Sequence, residues 1–334
     1  MNYQPPYSIT PAIVTLIAEI SETLGRLLLA TDDNFCLRRS NRIRTIQGSL
    51  AIEGNNLTEE QITAVLAGKP VVAPPREIQE VRNALAAYDQ LGHWQAHNER
   101  DLLQAHRLLM QGLMVDAGNY RSAGVGVVQG KQVIHMAPPA KRVPGLMRDL
   151  LAWLRRSEEH PLIRSSVFHY EFEFIHPFAD GNGRMGRLWQ TLLLSQWKPL
   201  FAWLPVESMV HAHQAGYYQA LQQSTERADS APFIAFILQR ILEVCHSHTP
   251  QVTPEVTPQV KRLLTVIHGE MSREALMQAL GLKDAKHFRQ HYLLPALSAN
   301  LIEMTQPDSP SSPTQKYRLT AKGSLLTGTT DENR

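Results

Sequence analysis

His176, Pro177, Phe178, Ala179, Asp180, Gly181, Asn182, Gly183, Arg184, Met185, Gly186 and Arg187 stand directly before the apolar helical run Leu188 to Trp197. Gly181, Asn182 and Gly183 therefore fall at a helix start, where unpaired backbone N–H groups and the positive end of the helix dipole make an anion site. Glycine lets that backbone approach a ligand closely. Arg184 and Arg187, three apart on the first turn, are expected to project on one side and to hold phosphate oxygens by bidentate hydrogen bonds. Such a cluster wants a polyphosphate. Asp180 offers one hard carboxylate oxygen, which suits Mg2+, a cation that completes its shell from water and substrate phosphates. His176 can accept a proton near neutral pH. Alone, a histidine before proline reads as structural and an arginine pair as solvated, but neither reading accounts for the combination. A base, a metal ligand, an anion cradle and two cations are the parts of phosphoryl or nucleotidyl transfer, and the spacing leaves open which phosphorus is attacked. Phe178 is assigned to the core, anchoring the loop.

Helices must position these groups. From residue 9 to about 248 apolar residues recur at three- and four-residue steps, as in Ala84, Leu85, Tyr88, Leu91 and in Leu146, Leu150, Leu151, Leu154. One interval departs from this: residues 125 to 134 are two short β-branched runs around Gln129, Gly130 and Lys131, a hairpin signal. Pro138, Pro139 and Pro144 keep it from continuing as a strand.

The chain has 334 residues, 43% hydrophobic and 19% charged, the composition of an ordinary globular protein with a large core and two or three domains. A formal net charge of +2 is too small to argue by itself for a nucleic-acid or membrane-surface partner. The apolar stretch from Ile9 to Ala30 is broken by Glu19, Glu22 and Arg26, so it reads as an amphipathic helix, and no membrane partner is expected. The start of the chain lacks the basic residues and small-residue cleavage site of a secretory signal. Cys36 and Cys245 have no metal-ligand or CxxC spacing and read as buried reduced thiols. A cytoplasmic location is the expectation.

Thr249-Pro250-Gln251-Val252 is followed by two near copies, ending at Val260. Proline at every fourth place favours an extended spacer, so residues 249 to 260 are read as a linker. Beyond it, Lys261 to His268, Arg273 to Leu280 and Ala285 to Ala299 are expected as helices, with a Ser272 cap and a Gly281 break. Leu301 to Thr305 and Lys316 to Thr320 are expected as two strands, which makes 261–334 a winged helix-turn-helix domain with its tail. Nine basic side chains stand against five acidic ones between 261 and 322, and Lys283, Lys286, His287 and Arg289 crowd the expected recognition helix. Phe288, Tyr292 and Leu293 are expected as its buried face. Contact with DNA or with a protein is open for this module.

The segment from His176 to Arg187 resembles the signature of the Fic family, HPFx[DE]GNGRxxR, with every fixed position filled. Gly118-Asn119-Tyr120-Arg121, the hairpin, Ala137-Pro138-Pro139 and Val143 to Met147 follow the family's order upstream, and Tyr217-Tyr218 with Pro232-Phe233-Ile234 follow it downstream. The likeness covers roughly residues 40 to 245. It implies a mainly α fold: a Fic-type helical domain with a small β-hairpin flap, here followed by the winged-helix domain. Residues 1–100 would be an N-terminal helical region, and 101–248 the catalytic core. The implied activity is transfer of AMP from ATP to a Tyr, Thr or Ser hydroxyl of a protein, with release of pyrophosphate. On that carry-over His176 is the base, Asp180 holds Mg2+, and Gly181, Asn182, Gly183, Arg184 and Arg187 hold the phosphates, with Arg187 on the γ-phosphate. Val127, Val128, Val133 and Ile134 belong to the flap that pins the target by main-chain pairing. Tyr217 or Tyr218 is the candidate wall of the adenine pocket, beside a plain core role.

Ser49 to Asn55 matches the family's inhibitory pattern, [ST]xxxE[GN], and implies an intramolecular inhibitory helix at about 40–54. There Glu53, at the end of a short helix, would pair with Arg187 and force ATP into an unproductive pose, with Ser49 in the same element. Thr58-Glu59-Glu60-Gln61 is a capping box that starts a fresh helix. Two other functions compete with this one: a DNA-binding regulator whose Fic-like domain senses ATP, and a Fic enzyme that removes AMP or transfers other phosphate-bearing groups. The intact His176 argues against pure sensing. The target protein, self-modification included, and the oligomeric state, a homodimer included, are not named by the sequence.

Overall fold

Twenty residues, Pro11–Ala30, form the first helix (α1), and their three- and four-residue apolar spacing turns Ile13, Ile20, Leu24 and Leu27 inward. The computed structural model describes residues 3–30, 35–129, 132–248, 257–306, 312, 314–320 and 323–324. They fall into two units, Met1–Thr249 and Pro250–Arg334.

In the first unit α1 is followed by α2 (Phe35–Ile52), α3 (Glu59–Leu66), α4 (Pro75–Asp89) and α5 (Glu99–Met110). A hairpin comes next, β1 (Gly126–Gln129) and β2 (Gln132–Met136), and then α6 (Val143–Arg156), α7 (Pro161–Ile175) and α8 (Asn182–Trp197). α9 (Val206–Ala212), α10 (Gln214–Arg227) and α11 (Ala231–His248) close the unit. Local chemistry sets many of these ends. The Thr58 hydroxyl accepts from the Gln61 N–H while the Gln61 side chain accepts from Thr58, so the capping box forms as its residues require.

α7 and α8 pack on each other at the centre, and α1 packs on α11. Val167, Phe168 and Phe172 on α7 and Met185, Leu188, Trp189 and Leu192 on α8 are wholly buried. Each of these two helices is buried around most of its girth because neighbours cover several faces. The one polar handle of Trp189, its Nε1–H, donates to the Ala96 carbonyl at 2.8 Å. β1 and β2 pair antiparallel, with Val128 opposite Val133 and an irregularity between Val127 and Val128, so the expected hairpin forms. Gly130 and Lys131, expected in its turn, and the side chains of Val127, Val128, Val133 and Ile134 lie outside the described residues. No helix among the described residues is long and apolar enough to cross a membrane.

The second unit begins with α12 (Pro258–Val266), three residues before the expected start. The third Thr-Pro pair is what starts it: Thr257 caps the helix through its hydroxyl, and Pro258 at the first helical position needs no N–H partner. The rest of the expected linker, 249–256, lies outside the described residues. β3 (Met271–Ser272) leads into α13 (Arg273–Leu280), capped by Ser272 and ended by Gly281 at φ 69°. The single helix expected from Ala285 is instead α14 (Ala285–Phe288), a π-helical turn over Arg289–Leu293, and α15 (Leu294–Ser298). Pro295 explains the irregularity, since its ring displaces the carbonyl four residues back and it has no N–H to give. β4 (Ile302–Met304) and β5 (Lys316–Leu319) form where strands were expected, and β3 joins them in a three-stranded sheet of order β3-β5-β4. Phe288, Tyr292 and Leu293 are buried in this unit's own core, as their spacing requires.

Candidate active site

α7 ends at Ile175, and the next residue, His176, takes the left-handed conformation with φ 49° and ψ 62°. A non-glycine residue there is uncommon, and it turns the chain sharply from α7 into the loop that feeds α8. The His176 side chain is 19% exposed, with Nδ1 3.9 Å from Oε2 of buried Glu173. Burial pushes the Glu173 carboxyl up to about 8, against the nearby Arg187 cation and with the help of the Glu53 charge.

The loop between the helices is held from several sides. The Asn182 side chain accepts from the Phe178 N–H at 2.8 Å and donates to the Phe178 carbonyl at 2.9 Å. Both ends of its amide are committed to the loop backbone, so its side chain shapes the cradle to which Asn182 is expected to contribute its main chain. Gly181 sits at φ 82° ahead of α8, and a Cβ there would come within 2.6 Å of Met110 Sδ. No side chain caps α8, which leaves its first N–H groups to an anion. Phe178 is wholly buried and stacks face to face on His106, centroids 3.6 Å apart. His106 Nδ1 accepts from the Gly118 N–H at 2.8 Å, so the ring hydrogen lies on Nε2, which donates to the Asp180 carbonyl at 3.0 Å. Burial lowers the pKa of His106 to about 4, and the imidazole is neutral.

Arg184 and Arg187 were expected on one side; the structure sends them apart. Arg184 Nη2 lies 3.3 Å from Asp180 Oδ1 and Nη1 lies 3.4 Å from Glu80 Oε1. Arg187 reaches α2: Nε donates to the Ser49 hydroxyl at 3.1 Å, and Nη2 donates to the Ser49 carbonyl at 3.0 Å and to Glu53 Oε1 at 2.6 Å. Asp180 is four residues before Arg184, but Glu80 and Glu53 stand on other elements, and these remote carboxylates part the two guanidiniums. α2 is a full 18 residues, longer than the short helix expected, and Glu53 lies in the turn just past its end. A Cβ on Gly183 would collide with Glu53 Oε1, so this carboxylate rests against the glycine cradle itself.

Asp180 is the carboxylate beside the cradle, 47% exposed, with Arg76 3.4 Å from its second oxygen. Among the described residues no cluster of three or more His, Cys, Asp or Glu side chains forms a closed metal site. Tyr217 is 2% exposed and its hydroxyl meets His169 Nε2 at 3.1 Å, amid Phe233 and Phe236. That is the core role, and it leaves half-buried Tyr218 as the candidate for the nucleotide. The spacing of residues had not singled out His106, Glu173 or Glu80. Only His106 had a local signal, an imidazole inside the apolar stripe of Leu102, Leu109 and Met110 on α5.

Residues 96–194 match the Fic/DOC family, and residues 258–320 match the C-terminal domain of the Fic-like proteins named for filamentation induced by cAMP. A Fic family protein from Desulfovibrio desulfuricans is 57% identical, with a TM-score of 0.72, over 96% of this chain and 99% of that one. The protein adenylyltransferase Fic of Aedes aegypti is 28% identical over 221 residues, 62% of this chain and 42% of that protein. The chain thus spans less than half the length of that curated relative. Fic-1 of C. elegans, residues 134–508, shares the fold with a TM-score of 0.57 at 22% identity over 71% of this chain and 70% of that one.

Proposed function

This chain belongs to the Fic family, and from that premise we propose that it moves AMP from ATP to a hydroxyl side chain of a protein and is held in check by its own Glu53. The observation that carries the reading is the Glu53 carboxylate, seated on Arg187 and against Gly183. An internal anion lies where backbone N–H groups and a buried guanidinium are arranged for an external one.

His176 takes the proton of the target hydroxyl, whose oxygen attacks the α-phosphorus of ATP. The bond from that phosphorus to the bridging oxygen breaks, and pyrophosphate leaves with the electron pair. The N–H groups at the start of α8 face the phosphates, and Arg187, once free of Glu53, holds the γ-phosphate. Asp180, half exposed beside the cradle, is a donor that fits Mg2+, and the cation would neutralise phosphate charge there. The hairpin β1–β2 offers main-chain groups to an extended target segment. With Glu53 on Arg187, ATP binds without its γ-phosphate in place. Incubation with each labelled nucleoside triphosphate, for the wild type and Glu53→Gly, tests the reading: label from α-labelled ATP on protein supports it, and its absence in both refutes it.

A second reading concerns the second unit. Lys283, Lys286, His287 and Arg289 are all exposed on or beside α14, whereas Arg318 on β5 is engaged by Glu303 at 2.6 Å and Glu270 at 3.5 Å. We propose the α14 face, and not the β5 arginine, as a contact for a nucleic-acid backbone.

A further inference from the structure

Arg121 is buried, 6% exposed, and its guanidinium reaches two separate parts of the molecule. Nε donates to the His176 carbonyl at 2.7 Å and Nη2 to the Ile175 carbonyl at 3.2 Å. Nη2 also donates to the Pro138 carbonyl at 2.5 Å, and Nη1 donates to the Ala123 carbonyl at 3.0 Å. The Arg121 backbone N–H donates to the Pro177 carbonyl at 2.9 Å.

Two of these acceptors, on Ile175 and His176, stand at the end of α7, where a helix leaves its last carbonyls without partners of its own. They flank the left-handed residue that turns the catalytic loop, a conformation that surrounding contacts must hold. The other two belong to the feet of the hairpin: Ala123 precedes β1 and Pro138 follows β2. One planar group therefore bonds both feet of the flap and both sides of the His176 turn. A lysine, with three donors on one nitrogen, has no such span.

We propose that Arg121 is a positioning residue that couples the flap to the catalytic base, so that a target segment pairing with the hairpin sets the aim of His176. This rests on the reading of His176 as base and of the hairpin as flap. Movement of either foot changes the bonds available at Arg121, and these bonds orient the carbonyls around His176.

The test uses the full chain carrying Glu53→Gly, with Arg121→Lys and Arg121→Gln added. Hydrogen–deuterium exchange is read over peptides from 122–139 and 175–181. Coupling predicts that both segments exchange at least ten-fold faster together, with α1 and α11 unchanged. It also predicts that self-transfer at saturating ATP falls at least ten-fold while ATP affinity stays within two-fold, and that lysine recovers part of the loss over glutamine. The proposal is overturned if only one segment responds, if exchange rises throughout the molecule in step with a lower Tm, or if ATP affinity falls with the rate. A Glu53→Gly parent that transfers nothing refutes the functional reading, and the exchange data still decide the coupling.

Discussion

Arg187 Nη2 lies 2.6 Å from Glu53 Oε1, with the arginine side chain 2% exposed and the glutamate 34%. The partners sit on α8 and just past α2, so the contact joins the turn after α2 to the glycine at the start of α8. Because the glutamate is part-solvated and the arginine is not, the pair can open from the glutamate side while Ser49 still satisfies the guanidinium.

Glu53→Gly is expected to raise transfer. A part-screened, charge-assisted hydrogen bond is worth roughly 1–3 kcal/mol, so release of Arg187 predicts a gain between about five- and 150-fold. Initial rates with α-labelled ATP measure it, and a variant no faster than the wild type would end the inhibitory reading.

His176→Ala should abolish transfer and leave ATP affinity within a few-fold, because the base acts on the hydroxyl and not on the phosphates. Nucleotide titration beside the transfer assay separates the two. Persistent transfer by the alanine variant removes His176 from the mechanism.

Two buried groups make stability depend on pH in opposite senses. His106, lowered from 6.5 to about 4, stays neutral in the fold where the unfolded chain would bind a proton. Its contribution is complete above about 6.5 and is lost as pH falls towards 4, on the order of 3 kcal/mol at most. Glu173, raised from 4.5 to about 8, keeps a proton in the fold that the unfolded chain releases, so its contribution is present below 4.5 and is lost as pH rises towards 8. Thermal melts from pH 4 to 8.5 are expected to show the advantage of Glu173→Gln over wild type growing with pH, and the deficit of His106→Asn shrinking as pH falls. Parallel curves would contradict these assignments.

Tyr217→Phe removes a buried hydroxyl bonded to His169 and is expected to cost about 1 kcal/mol of stability, with ATP affinity unchanged. Tyr218→Ala should lower ATP affinity with little change in Tm. Calorimetric titration of both variants decides which tyrosine meets the nucleotide, and reversed outcomes would return Tyr217 to that role.

If the exposed α14 face contacts duplex DNA, the affinity falls with salt by a log–log slope near −0.9 per phosphate neutralised. Replacing Lys283, Lys286 and Arg289 by Ala should flatten the slope and weaken all sequences alike, while AMP transfer continues as before. Electrophoretic shifts over a salt series measure it. No shift at low salt would assign the module to protein docking.

Local chemistry made much of this molecule legible in its sequence. The helical spacing, the Thr58 capping box, the Ser272 cap with the Gly281 stop, the β1–β2 hairpin, and the glycine cradle before α8 all act within one or two turns of chain, where backbone geometry and neighbouring side chains decide. The contact of Glu53 with Arg187 was foreseen only through resemblance to a family, since 134 residues separate the pair. Tertiary packing decided the rest. It drew Arg184 towards Glu80 on α4 and Arg187 towards Glu53, buried Tyr217 against His169, and set His106 beneath a loop 74 residues away. Side-chain direction in each case depends on which distant carboxylate, carbonyl or ring the fold brings near, and a buried polar group must find its partner wherever the chain supplies one.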